Sequence, residues 1–222
     1  MIVGCLGLAW GISNLGQSTV ISDFWDVEAQ LLRFETFNAS TAARTLDSAA
    51  AKALSPCDTH SQRALLLMEI PLAGAGLRSG ASSEFDQHMT SLETRARQIL
   101  SCSPRDSFAW LMAFGLETQH GMLSPHSFDL LAMSYETSPR EAWLALRRVI
   151  VAVPLAQLAP EPLQARILDE YLTLIRHRFV DVPARIYLSA SAATQALLKE
   201  RIDQLDPPSK KLFSEELDRL RA

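Results

Sequence analysis

The chain predicts an all-α fold: antiparallel helical hairpins stacked as a short array, preceded by an N-terminal hydrophobic helix. Three observations predict it. Apolar residues recur at helical spacing from Ala39 onward, Ser-Pro pairs punctuate the chain as helix starts, and no stretch alternates with the period of two that a strand requires. With 222 residues, 48% of them hydrophobic and 21% charged, the chain can bury a real core and is too apolar for a disordered protein. A net charge of −4 provides no global attraction to nucleic acid or anionic lipid. The basic residues are 17 Arg against 4 Lys, a bias that fits a GC-rich bacterial genome better than any one function.

Residues 1–22, MIVGCLGLAWGISNLGQSTVIS, carry no charged side chain. As a helix they would span ~33 Å, near the thickness of a bilayer core. The segment is expected to be a signal segment or signal anchor, although it lacks the basic flank such segments usually carry. Residues 23–38 follow as a linker or juxtamembrane segment, with Phe24 and Trp25 at an interfacial position beside Asp23, Asp26 and Glu28. Residues 39–222 are the helical domain.

Ser-Pro occurs at Ser55-Pro56, Ser103-Pro104, Ser124-Pro125 and Ser138-Pro139. Serine caps free backbone N–H groups, and proline suits the first helical turn because its missing N–H has no partner there. Ser138-Pro139-Arg140-Glu141 reads as a capping box, with Ser103-Pro104-Arg105-Asp106 and Ser55-Pro56-Cys57-Asp58 as relatives using the shorter acid.

Leu65, Leu66, Met68, Ile70 and Leu72 mark a largely buried helix, expected to bend at Pro71. Phe85, Met89, Leu92, Ala96, Ile99 and Leu100 form the stripe of the next. Phe108, Leu111, Met112 and Leu116 form another, then Phe128, Leu131 and Tyr135, then Trp143, Leu146, Val149 and Ile150. Further helices are expected at about 161–178, 184–204 and 208–221. The short loops favour antiparallel neighbours.

Cys57 precedes one helix and Cys102 ends the next. If those helices turn back around Gly76–Ser83, both cysteines come to one end of the hairpin, within the ~7 Å Cα reach of a disulfide. Such a bridge would stabilise by about 3–4 kcal/mol and requires an oxidising compartment, in keeping with export. Two separate buried thiols are the alternative.

The chemistry-bearing motifs are sparse. Cys57-Asp58-Thr59-His60 with Cys102 falls short of the four ligands of a structural zinc, so no metal and no cofactor is expected. There is no G-x-S-x-G elbow, no H-E-x-x-H and no phosphate-binding G-x-x-x-x-G-K-S/T loop. Glu69 stands within an apolar helix, with Arg63 as a neighbouring base to pair with. His120 and His126 flank the turn at Gly121. A pocket near Glu69 or near His120 and His126 would suit a soluble all-α enzyme or ligand-binding bundle, the second of two readings. Arg147, Arg148, Arg176 and Arg178 are short basic runs that could line an anion-binding or acidic-partner surface. Nucleic acid is not an expected partner.

The segments Ser103-Pro104-Arg105-Asp106 and Ser138-Pro139-Arg140-Glu141 lie one helix pair apart, each soon followed by a tryptophan, Trp110 and Trp143. With Phe114-Gly115, Ala132, Tyr135 and Pro139, residues 103–152 resemble a tetratricopeptide-like helical repeat. The departures are real, since Phe114-Gly115 stands where that repeat uses Leu-Gly. The resemblance implies a protein-binding scaffold whose stacked helices display a concave surface. It also implies a role like that of bacterial periplasmic arrays that assist envelope or exopolysaccharide assembly. The first reading is therefore a non-enzymatic scaffold tethered to the inner membrane by residues 1–22, facing the periplasm and binding protein partners.

Overall fold

A computed structural model describes residues 39–119, 121 and 123–222. The expected anchor at 1–22, the linker at 23–38, Cys5 and His120 lie outside the described residues. Within them every regular element is helical: α1 (Ala39–Asp47), α2 (Ala49–Ala53), α3 (Thr59–Ser79), α4 (Ser82–Cys102), α5 (Ser107–Gln119) and α6 (Pro125–Thr137), then α7 (Ala142–Ala152), a 3-10 turn (Val153–Leu158), α8 (Glu161–Arg176), α9 (Asp181–Ser189), α10 (Ala192–Ile202) and α11 (Pro207–Arg221). The packed helices are compatible with a helical repeat. No helix among the described residues is long and apolar enough to cross a membrane. Two compact units divide after Leu116, so the last turn of α5 belongs to the second.

In the first unit α3 and α4 form an antiparallel hairpin. The chain reverses at Gly80, whose left-handed φ of 73° closes α3 by donating its N–H to the carbonyls of Gly76 and Leu77. Gly76 has a different task. A Cβ there would come within 3.1 Å of the Phe85 backbone nitrogen, so its missing side chain lets α4 approach α3 closely. Pro71 sits inside α3, which runs unbroken from Thr59 to Ser79. From α4 the buried stripe Met89, Leu92, Ala96 and Ile99 follows helical spacing. On α3 burial extends through Ala64–Glu69, and α1 also lies against this helix. Cys57, in the turn before α3, and Cys102, the last residue of α4, are joined by a disulfide with Cα atoms 5.2 Å apart.

In the second unit the core gathers Leu131 from α6, Leu144 and Val149 from α7, Ile167, Tyr171 and Ile175 from α8, Leu198 from α10 and Phe213 from α11. Tyr171 is fully buried and donates its hydroxyl to the Pro183 carbonyl at 2.9 Å. Its ring and that of Tyr187 meet Phe213 edge-on, with centroids 6.4 and 6.0 Å away. The single helix expected at 184–204 is two. Ser191 interrupts it, capping α10 through the Thr194 N–H at 3.2 Å, while α9 begins earlier at Asp181.

The Ser-Pro pairs divide into two kinds. Ser124 caps α6 directly: its hydroxyl accepts from the Ser127 N–H at 3.3 Å, and Ser127 Oγ accepts from the Ser124 N–H at 3.1 Å. Where the third residue after serine is acidic, helix and cap come later than the sequence suggests. Ser55-Pro56-Cys57-Asp58 and Ser103-Pro104-Arg105-Asp106 are turns, closed by the Asp58 N–H to Ser55 O at 3.1 Å and the Asp106 N–H to Ser103 O at 3.0 Å. In each the aspartate then caps the following helix, Asp58 through Ser61 and Asp106 through Ala109. The expected capping box at Ser138–Glu141 is corrected in the same way. The helix begins at Ala142, and Glu141 is its N-cap residue but makes no side-chain cap bond. Proline favours the second position of such a turn, which moves the helix start onto the acid.

Candidate functional site

A cleft of about 940 Å³ belongs to the second unit. It lies between the end of α6, the Pro139 turn, the first turns of α7 and the C-terminal half of α8. Its wall is built on an ion pair that the apolar spacing of α7 places inside. Arg148 stands four residues after Leu144 and four before Ala152, hence on the core stripe of its helix. Its side chain is 0% exposed. Nη2 donates to Glu170 Oε1 at 2.6 Å and Nε reaches both carboxylate oxygens at 3.1 and 3.2 Å. Nη1 donates to the carbonyls of Ser134 and Ser138 at 2.9 and 3.0 Å, tying the end of α6 and the following turn to α7. The guanidinium also lies over the Tyr135 ring, 4.5 Å from its centroid.

Burial pushes the Glu170 carboxyl above its ordinary range, against the opposing pull of Arg148. Burial also raises the Tyr135 phenol well above its usual value, and the nearby Glu170 charge adds to this. Both side chains line the cleft, together with Glu136, Arg140, Arg166 and Asp169, and with Leu174, His177 and Phe179. Asp169 has Arg176 at 3.8 Å. Arg140, Arg166, Glu136 and His177 have no ion-pair partner within 4.0 Å among the described residues.

The basic cluster expected on one surface is split. Arg148 faces the core and its donors are engaged, so it does not join Arg176 and Arg178, which are exposed at the end of α8. Arg147, adjacent in sequence, points about 100° away around the helix. It is half-buried, and desolvation brings its pKa down to about 10. Arg178 takes a left-handed φ of 68° where the chain leaves α8. The residue that reasoning from sequence missed is Glu170. Its only sequence signal was an acid one helix away from an arginine on an apolar stripe.

In the first unit Glu69 is buried within α3, and its partners come from α4. His88 Nδ1 lies 3.1 Å from Oε1, Ser91 Oγ donates to Oε2 at 2.8 Å, and Arg95 Nε lies 3.4 Å from Oε2. The expected partner Arg63 instead donates to Asp106 at 2.6 Å. Ser91 gives its hydroxyl hydrogen to the acid and not to His88, so the trio lacks the serine-to-base hydrogen bond that nucleophilic activation requires. The cluster clamps the two helices of the hairpin.

His126 is exposed, with Nε2 4.0 Å from Glu117 Oε1. No group of His, Cys, Asp and Glu able to hold a metal ion occurs among the described residues. Comparison of the chain with protein-family models, with curated proteins and with solved structures found no match.

Proposed function

We propose that this chain is an extracytoplasmic helical scaffold, tetratricopeptide-like in its stacked hairpins, that binds a protein partner and is tethered to the inner membrane by residues 1–22. The observation that carries the binding reading is the cleft beside Arg148. Its deepest acid, Glu170, is held by Arg148, whose other donors bind the Ser134 and Ser138 carbonyls, so this pair fixes the wall of the cleft. The exposed groups around it are a mixture of charged and apolar side chains, the composition of a contact surface more than of a reaction centre. The disulfide between Cys57 and Cys102 supports an oxidising compartment, hence the periplasmic face. Envelope or exopolysaccharide assembly machinery is the partner class that the tetratricopeptide resemblance suggests.

Fractionation of cells expressing the full chain, with thiol labelling before and after reduction, tests the compartment. Membrane recovery with Cys57 and Cys102 labelled only after reduction is expected. Recovery from the cytosol with both thiols free would overturn the reading. A photo-crosslinker at Phe179 tests the binding, with a discrete adduct to an envelope protein as the expected result.

A further inference from the structure

The charges of the cleft differ in how they are satisfied, and this difference selects a ligand. Glu170 is neutralised by Arg148 at 2.6 Å and Asp169 faces Arg176 at 3.8 Å, so neither acid presents an uncompensated charge. Among the described residues Arg140, in the turn before α7, and Arg166, on α8, have no such partner, and of the remaining fixed charges lining the cleft Glu136 offsets one of them. The free balance is thus one positive charge. Ala142, the first residue of α7, also lines the cleft. With no side chain capping that helix start, its N–H groups add to the positive field. Leu174, itself buried, and Phe179 also line the cleft, and Phe179, 44% exposed, forms its apolar shelf.

Resting on the reading of the chain as a protein-binding scaffold, we infer that this cleft receives an acidic peptide segment of the partner, its carboxylates pairing with Arg140 and Arg166 and an adjacent apolar side chain covering Phe179. Exposed arginines prefer carboxylates in paired geometry, and the shelf supplies the desolvated contact that charge alone lacks. A cleft of about 940 Å³ accommodates several side chains, far more than a single small anion.

The test is selection from a phage-displayed random peptide library against the oxidised full chain, followed by fluorescence anisotropy with the enriched peptide. Enriched sequences are expected to combine Asp or Glu with a large apolar residue. Arg140→Glu and Arg166→Glu should each weaken binding roughly ten-fold, and Phe179→Ala about five-fold, with high salt weakening the wild type in parallel. All three positions are exposed, and far-ultraviolet circular dichroism checks that each variant keeps its helices. Enrichment of basic or uncharged sequences, no enrichment at all, or competition by inorganic phosphate alone would overturn the inference. A peptide whose binding ignores all three substitutions also overturns it, while leaving the scaffold reading intact because the contact then lies elsewhere.

Discussion

Replacing Arg148 by methionine and, separately, Glu170 by leucine should destabilise the second unit, the first with a marked dependence on pH and the second with almost none. Arg148→Met removes the contacts to Glu170 and leaves the Ser134 and Ser138 carbonyls without their donor. Each lost carbonyl partner costs about 1 kcal/mol. The carboxylate left buried without a cation adds about 2 kcal/mol at neutral pH, for a total of about 4 kcal/mol. That second part can be relieved, because Glu170 can take a proton. Burial already holds its carboxyl above the ordinary value of 4.5 with Arg148 in place, and removing the cation raises it further. A raised acid binds more protons in the folded state than in the unfolded one. Its favourable contribution is therefore complete below about pH 4.5 and is lost as pH rises through the folded value. Arg148→Met should lose stability with rising pH at a slope of up to about 1.4 kcal/mol per unit in that window, over a wider range than the wild type. Glu170→Leu strands a guanidinium that stays charged throughout, so its cost of about 3–5 kcal/mol should vary little with pH. Urea denaturation followed by circular dichroism from about pH 4 to about pH 8 reads both slopes. If the two variants show the same pH dependence, or Arg148→Met is relatively more stable at neutral than at acid pH, the burial argument is refuted.

Reducing the Cys57–Cys102 bridge, or replacing both cysteines by serine, should lower stability by up to about 4 kcal/mol for a closed loop of this length, read from the denaturation midpoint with and without reductant. A loss under about 1 kcal/mol would show that the α3–α4 hairpin already restrains the unfolded chain. Two glycines of α3 should respond in opposite directions to alanine. Gly74→Ala, whose Cβ would meet only the flexible end of Arg78 at 3.3 Å, should stabilise by up to about 1 kcal/mol in thermal melts. Gly76→Ala should be neutral or destabilising by about 1 kcal/mol, because its Cβ presses on the Phe85 backbone. Asp106→Ala removes both the cap on Ala109 and the Arg63 pair, at a cost of about 2–3 kcal/mol in the same assay, and Asp106→Asn should restore the cap part.

Much of this protein was legible as local pattern. Stripes such as Met89, Leu92, Ala96 and Ile99 state helix and buried face together, because one helical turn brings them into line. The approximate positions of Cys57 and Cys102 at one hairpin end followed from helix lengths alone. Helix starts were less legible, since Ser-Pro is compatible both with a cap and with a turn that precedes one. The bond from the Ser127 N–H to the Ser124 hydroxyl is what distinguishes Ser124 from Ser103 and Ser138. The break at Ser191 was hidden for a similar reason: serine in a helical pattern is neutral until its hydroxyl finds the Thr194 N–H.

The amino-acid sequence by itself determined the helical class, the spacing of the elements and the uncharged start at residues 1–22, because these depend on periodicity and on residues near one another in the chain. Tertiary structure alone decided which charges matter. Arg147 and Arg148 are neighbours in sequence, yet one is half-buried and the other lies fully within the core, paired with Glu170 from the next α-helix. Arg63 turns to Asp106 while Glu69 is claimed by α4. A charge buried away from water must find a partner in three dimensions, and that search is settled by packing, which places residues far apart in the chain side by side.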